Sequence, residues 1–373
     1  MAEKTADRLF DLSLTEEQRI TRENLAKFSQ TELGEISRSA DEEGAAPAGF
    51  YNKTAELGLS ILPIPEAYGG AGVERSPISN MLNAEDLGQG DMSLAIGALT
   101  PLAFINTVLD QGTENQREKY LTPLAEEYFK PATIALMEPK ATFEPSDLAT
   151  NAKKDGKGYV INGIKSMVAL GASSQFILVI ANLEGEGPAG FIVEQGATGL
   201  TVEKEDYMGL RPLELSRVTL ENVSVNAVAK LGEEEKKLDL QRILDLSKIG
   251  LCAVAVGCCR AVLEYVKPYV VEREAFGEPI AYRQSVAFMV ANMAIELEGM
   301  QLLVYRAAAR AEQGLSFKKE AYLAKVFCAE RSMEIGTNGI QLLGGHGFCR
   351  EHPVELWYRN LRAVGVLDGV VAV

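Results

Sequence analysis

The sequence predicts a mainly α-helical fold with a β domain in its middle, and three observations predict it. Apolar residues recur at helical spacing up to about residue 130; the pattern then shortens and fills with glycine turns to about residue 235; helical patterning returns in three long stretches to about residue 364. The expected units are therefore an N-terminal helical domain over 1–130, a middle β domain over 131–235 and a C-terminal helical bundle over 236–373.

In the first unit, Leu14–Thr15–Glu16–Glu17 opens a helix, with Thr15 as N-cap ahead of acidic first-turn residues. Pro63–Gly72 is dense in helix breakers and reads as a loop. Asn83–Leu109 reads as one mostly apolar helix, and Glu114–Leu124 as an amphipathic one with Tyr120, Leu121 and Leu124 on a common face. In the middle unit, Asn162–Gly163 between Gly158–Ile161 and Ile164 onward predicts a hairpin. Phe176–Ile180, Gly190–Val193, Thr201–Val202 and Val218–Leu220 are further strand candidates, and together they predict a compact sandwich or barrel. In the third unit Leu238–Val271 is one long helical pattern that Pro268 should kink or end. Gln284–Ala311 and Lys318–Gln341 complete a bundle, and the charged run Glu233–Lys237 reads as a solvated loop or helix start.

The chain has 373 residues, 47% hydrophobic and 24% charged, an ordinary balance for a globular protein with a large core. A formal net charge of −15 argues against nucleic acid, whose phosphates need a basic face, and is most simply a solubility feature. The two histidines and five cysteines form neither a CxxC pair nor a helical His–His spacing, so no metal site is expected. Cys258 and Cys259 sit in an apolar run and read as buried thiols. Met1–Phe10 lacks an apolar signal core, and the longest apolar run is about half of what a membrane span needs. These features predict a soluble cytoplasmic protein with reduced thiols and no membrane span.

Several segments together carry a resemblance. They are Tyr68–Gly72, Met137–Glu138–Pro139 ahead of Ser146–Asp147, Tyr159–Lys165, Arg273–Gly277 followed by Gln284 and Phe288, Gln341–Phe348 with Glu351–Val354, and Arg359–Asn360. In this order and spacing the chain resembles the acyl-CoA dehydrogenases, a flavoprotein family, over nearly its whole length. Tyr159–Lys165 is similar to YxINGxK, Gln341–Phe348 to QxxGGxGF, and Met137–Pro139 with Ser146–Asp147 to a TEPGAGSD loop. The resemblance implies an N-terminal helical domain, a middle β barrel or sandwich and a C-terminal four-helix bundle. It implies FAD as cofactor and an acyl-CoA thioester as substrate, a carboxylate taking the α proton while the β hydrogen leaves as hydride to the flavin.

The same resemblance assigns residues. Asp368, in Leu367–Asp368–Gly369–Val370, stands at the base position, where the family usually has Glu in a YEGT segment. Asp is one methylene shorter, a loss of reach of about 1.5 Å. Two readings stay open: a base adapted to a differently seated substrate, or a loop Asp in an inactive site. Leu367, Gly369, Asp245 and Lys248 fall at substrate positions, although Asp245 and Lys248 read equally as a surface ion pair on a helix. Leu136, Met137, Ser146, Met167 and Ala169 fall at cofactor positions, as do Arg273, Phe276, Gln284, Gln341, Gly344 and Gly345. In the loop, Lys140–Pro145 replaces the family's Gly-Ala-Gly; Met167–Val168–Ala169 replaces Trp-Ile-Thr and reads equally as core filling. Arg273, Gln341, Gly344 and Gly345 resemble residues that reach a neighbouring subunit's flavin, though the two glycines read equally as a helix C-cap.

The positions donated to a neighbour are thus better kept than those holding a flavin in the same subunit. Three functions follow. One is an acyl-CoA dehydrogenase with Asp368 as base, passing electrons to an electron-transferring flavoprotein. Another is a non-catalytic subunit that completes the site of a flavin-competent homologous partner in a heterotetramer, as against a homo-oligomer. The third is oxidase or nitroalkane-type chemistry on the same fold.

Overall fold

The computed structural model describes residues 13–126, 128–234 and 236–373; Met1–Phe10, read above for a signal core, and Glu235 of the charged run lie outside them. Thr15 caps α1 (Glu16–Phe28) with a full capping box: its hydroxyl accepts from the Gln18 amide, and the Gln18 side chain accepts from the Thr15 amide. A π-helical turn leads into α2 (Gly34–Glu43), followed by the short α3 (Phe50–Ala55). The single helix expected over Asn83–Leu109 is two, α4 (Pro77–Gly90) and α5 (Met92–Gln111). Asp91 separates them in an extended conformation, its carboxylate accepting from the Leu94 amide at 2.8 Å and from the Ser37 hydroxyl. An Asp that can cap offers the backbone an alternative to continuing, which apolar spacing alone does not register. α6 (Glu114–Leu121) follows, with Tyr120, Leu121 and Leu124 buried as expected.

The middle of the chain forms β1 (Ala132–Ala135), β2 (Asn151–Asp155), β3 (Gly158–Ala169), β4 (Phe176–Leu183), β5 (Gly187–Glu194), β6 (Leu200–Lys204) and β7 (Leu215–Asn226). The hairpin expected at Asn162–Gly163 is not there. β3 runs straight through, Asn162 forming an irregularity in its pairing with β7, and the tight turn lies at Gly156–Lys157 between β2 and β3. An Asn-Gly pair serves a bulge as well as a turn, since both need a permissive backbone.

All seven strands join one hydrogen-bonded sheet, in the order β1-β4-β2-β3-β7-β6 with β5 on β4. Phe191 of β5 and Val218 of β7 share one buried core with Ile161 and Val179, so the sheet curls around its own apolar face. Among the described residues no ladder joins β5 to β6, so the unit is a curled open sheet rather than a closed barrel. The opposite face, through Leu178, Ile180 and Leu215, packs on the helices.

The C-terminal part holds α7 (Leu240–Glu272), α8 (Gln284–Glu312), α9 (Lys318–Leu343) and the short α10 (Val354–Leu361), with a two-residue ribbon, β8 (Glu274–Ala275) and β9 (Glu278–Pro279), between α7 and α8. The bundle therefore has three long helices and one eight-residue helix. α7 passes through Pro268 and ends at Glu272. It is apolar nearly all round because α4 presses directly on it: a Cβ at Gly257 would lie 2.0 Å from the Glu85 carbonyl. Cys258 and Cys259 are fully buried in this helix, as expected, and burial pushes both thiols up.

The expectation that nothing here is long enough to span a membrane does not hold by length and composition, for α5, α7 and α8 all qualify. α5 and α7 are core helices, while only 17% of the apolar window of α8 is buried. Buried polar contacts lock the parts together. Arg359 grips Asp41 through two bonds of 2.9 and 2.7 Å, and the Asn360 side chain accepts from the Leu210 amide at 2.7 Å.

Candidate active site

Asp368 lies on a loop held from three sides. Its amide donates to the Met137 sulfur at 3.3 Å, and the next amide, of Gly369, donates to the Ser247 hydroxyl of α7 at 2.8 Å. Lys325 of α9 donates to the Leu367 carbonyl and lies 3.3 Å from one Asp368 carboxylate oxygen. Gly369 adopts a left-handed backbone against Leu136, whose side chain a Cβ would meet at 3.1 Å. Four predicted site residues, Leu136, Met137, Asp368 and Gly369, are thus brought together. Beyond them, Val370–Val373 are buried in the core beside α5 and α7.

Leu136–Glu138 is in turn fixed to β3. Lys165 has no solvent exposure, and its ammonium donates to the Leu136 carbonyl and to Glu138, each at 3.0 Å. Between these two contacts, the Met137 carbonyl accepts from the Ser166 amide at 3.0 Å. Burial pulls Lys165 down to about 8, against the pull of Glu138. Burial would raise the Glu138 carboxyl, but the Ala149 and Thr150 amides and the Lys165 ammonium outweigh it and hold it at about 2. The helix-borne pair Asp245–Lys248 is not a surface pair: the Asp245 side chain is 4% exposed and bonded to both Lys248 at 3.1 Å and Gln241 at 2.8 Å. It lies within two residues of Ser247 along α7.

Met167 and Leu367 both line a mostly apolar crevice of about 160 Å³ between the sheet and the bundle. The Met167 backbone is left-handed, and its amide donates to Glu205 at 2.9 Å. Ser166, Tyr207 and Arg217 also bond Glu205, which holds it below the ordinary carboxylate range despite burial. Ala169 is fully buried and does not line this crevice. Ser146 is exposed and bonds Glu144 within its own loop, while Lys140 there reaches the Asp147 carbonyl.

A second cavity, of about 640 Å³, opens where α7, α8 and α9 meet the β8–β9 ribbon. Arg273, Phe276, Gln341, Gly344 and Gly345 all line it. Arg273 is exposed and has no ion pair or side-chain hydrogen bond among the described residues, and both glycines have open space where a Cβ would stand. Phe276 is 97% exposed. Gln284 is exposed but does not line this cavity. His346 lines it too, bonded to Tyr269 at 2.9 Å and stacked on His352.

As a test for a flavin, the two places differ. Small-molecule sites generally measure about 300–1,000 Å³. The larger cavity, with an unpaired arginine and open glycines, fits an anionic, diphosphate-bearing end. The crevice beside Met167 is below that range and does not enclose a flavin ring on its own.

Comparison with known proteins settles the family. The N-terminal, middle and C-terminal domain models of acyl-CoA dehydrogenase match residues 15–128, 133–223 and 239–373. A relative from Clostridium sporogenes, described as a 3-(aryl)acrylate reductase, is 31% identical over 95% of each chain. The chain belongs to the acyl-CoA dehydrogenase family. Among solved acyl-CoA dehydrogenase-like structures, butyryl-CoA dehydrogenase from Megasphaera elsdenii is 30% identical, covers 96% of each chain and superposes with a TM-score of 0.89. A chain in a structure described as the electron transferring flavoprotein of Acidaminococcus fermentans gives the same coverage, identity and TM-score. The shared fold is the one seen here: helical N-terminal part, middle sheet, helical C-terminal part.

Sequence reading missed Lys325, Ser247 and the Glu205 cluster. Lys325 left one signal, a cation interleaved with Ala321, Ala324 and Cys328, all buried on α9. Ser247 and Glu205 left none, because their roles depend on which loop packs against them.

Proposed function

We propose that this chain is a subunit of an FAD-dependent acyl-CoA dehydrogenase in which Asp368 removes the α proton of an acyl-CoA thioester. The observation that carries this is the placement of Asp368 at the meeting point of Leu136–Met137, α7 and α9, with one carboxylate oxygen on Lys325 and the other without a hydrogen-bond partner among the described residues. A carboxylate needs one free oxygen within reach of the proton it takes. Bound FAD would supply the hydride acceptor. The residues here bind, orient and exclude water: Leu367 and Met167 form apolar walls, and the buried Lys165–Glu138 pair keeps Met137 in place. A relative named as an acrylate reductase supports reading the double-bond chemistry in either direction.

A second reading is favoured by the contrast between the two cavities. The large open one carries the residues expected to serve a neighbour's flavin, while the crevice is small. The chain then completes a partner's site, the partner being a second copy or a flavin-competent homologous subunit. The exposed apolar side chains Phe288, Ile295 and Leu302, seven residues apart along α8, support such an association. Similarity to a chain from an electron transferring flavoprotein structure supports that class of protein as electron acceptor. A cytoplasmic setting belongs to the same proposal and is supported by five free thiols.

The test is purification of the native assembly. A yellow protein that bleaches with an acyl-CoA, and no longer turns over as Asp368→Asn, supports the first reading. A colourless chain that becomes yellow only with a homologous partner supports the second. Rapid oxidation of the reduced protein by oxygen points instead to an oxidase.

A further inference from the structure

Lys325 is the one cation in contact with Asp368 among the described residues. It sits on α9 between buried Ala324 and Cys328, its side chain 13% exposed, and reaches across to the loop. The other nearby charges are already engaged: Lys248 with Asp245 on α7, and Lys165 with Glu138 behind Met137. The backbone of the loop is pinned by Met137 and Ser247, and among the described residues Lys325 alone bonds the Asp368 side chain.

We propose that Lys325 is the positioning residue of Asp368, holding the Leu367 carbonyl and one carboxylate oxygen so that the other is presented for proton transfer. This role rests on the reading of Asp368 as base. A short Asp has a single stem rotation to set its direction, so a donor fixed on a helix and anchored to the adjoining carbonyl leaves it little freedom. The two contacts have different work: the carbonyl bond locates the ammonium, and the carboxylate bond orients the acid. Lys325 makes no other hydrogen bond or ion pair among the described residues, so its loss removes these two contacts from the loop.

Four forms of the native assembly test this: the unaltered protein, Asp368→Asn, Lys325→Met and Lys325→Arg. Turnover of a short acyl-CoA is measured alongside hydrogen exchange of the amides of residues 366–370. For Lys325→Met the expected result is a kcat loss of about 100-fold with KM held within about twofold, as for an interaction made only in the transition state. Exchange should rise at residues 366–370 and not elsewhere, and Lys325→Arg, keeping charge and donors, should recover most of both. Unchanged kcat in Lys325→Met, or a rise in exchange spread over the whole protein, overturns the proposal. If Asp368→Asn turns over normally, the base assignment itself fails. If Asp368→Asn is dead while Lys325→Met is not, only the role of Lys325 falls. Should the unaltered protein show no turnover, exchange alone decides, and no local change at 366–370 refutes positioning.

Discussion

The crevice beside Asp368 and the cavity around Arg273 are built on opposite terms. Around the Asp368 loop the buried polar groups have partners inside the chain, Lys165 with Glu138, the Met167 amide with Glu205 and the Gly369 amide with Ser247, while Arg362 on the crevice rim is exposed and unpaired among the described residues. Around Arg273 the arginine has no ion pair among the described residues, the glycines are uncovered and Phe276 projects into solvent. A region satisfied by its own contacts is a finished piece of one subunit. A region with an unpaired cation and bare aromatic surface is finished only by something else.

Changes in the two regions should therefore fail differently. Asp368→Asn should lower turnover by about 10²–10⁴-fold with little change in thermal stability, as for loss of a general base; steady-state kinetics beside a melting curve checks this, and retained turnover removes Asp368 from the chemistry. Lys165→Met leaves the buried Glu138 carboxylate with only the half-exposed Lys140, 3.7 Å from its other oxygen, and should cost up to about 3–5 kcal/mol of stability in urea unfolding. A cost near zero would mean that the region is not the closed unit described here.

The same carboxylate predicts an acid limb. Glu138 is held at about 2, below the ordinary carboxylate value of 4.5, so its contribution to stability is complete above the ordinary value and is lost as pH falls toward 2. Denaturation measured between pH 6 and 2 should accordingly be less pH-dependent in Glu138→Gln.

In the cavity the expected losses are of ligand rather than of fold. Arg273→Ala should lower flavin retention by the assembly about tenfold or more, as for loss of a charged hydrogen bond, with an unchanged melting point. Absorbance against protein concentration reads it, and full retention would sever this cavity from the cofactor. Gln284→Ala should change retention by less than about twofold, because Gln284 lies outside the lining.

Much of this was legible along the chain. Thr15 as a cap, the buried face of Tyr120, Leu121 and Leu124, and the long helices α8 and α9 all follow from spacing and local chemistry. Where two local signals competed, the sequence reading chose the wrong one. The apolar run through Asp91 hid a capping carboxylate, and Asn162–Gly163 had the composition of a turn but serves a bulge inside a twelve-residue strand.

By itself the sequence determined the three-part order of helix, sheet and helix and the motifs that mark the family, because periodicity and turn chemistry act between residues close along the chain. Only the tertiary structure decided that Lys325 meets Asp368, that Asp245 is buried, and that Arg273 has no ion pair among the described residues. Lys325 and Asp368 stand 43 positions apart, and which distant groups meet or are covered is set by how helices and sheet pack, which no local pattern encodes.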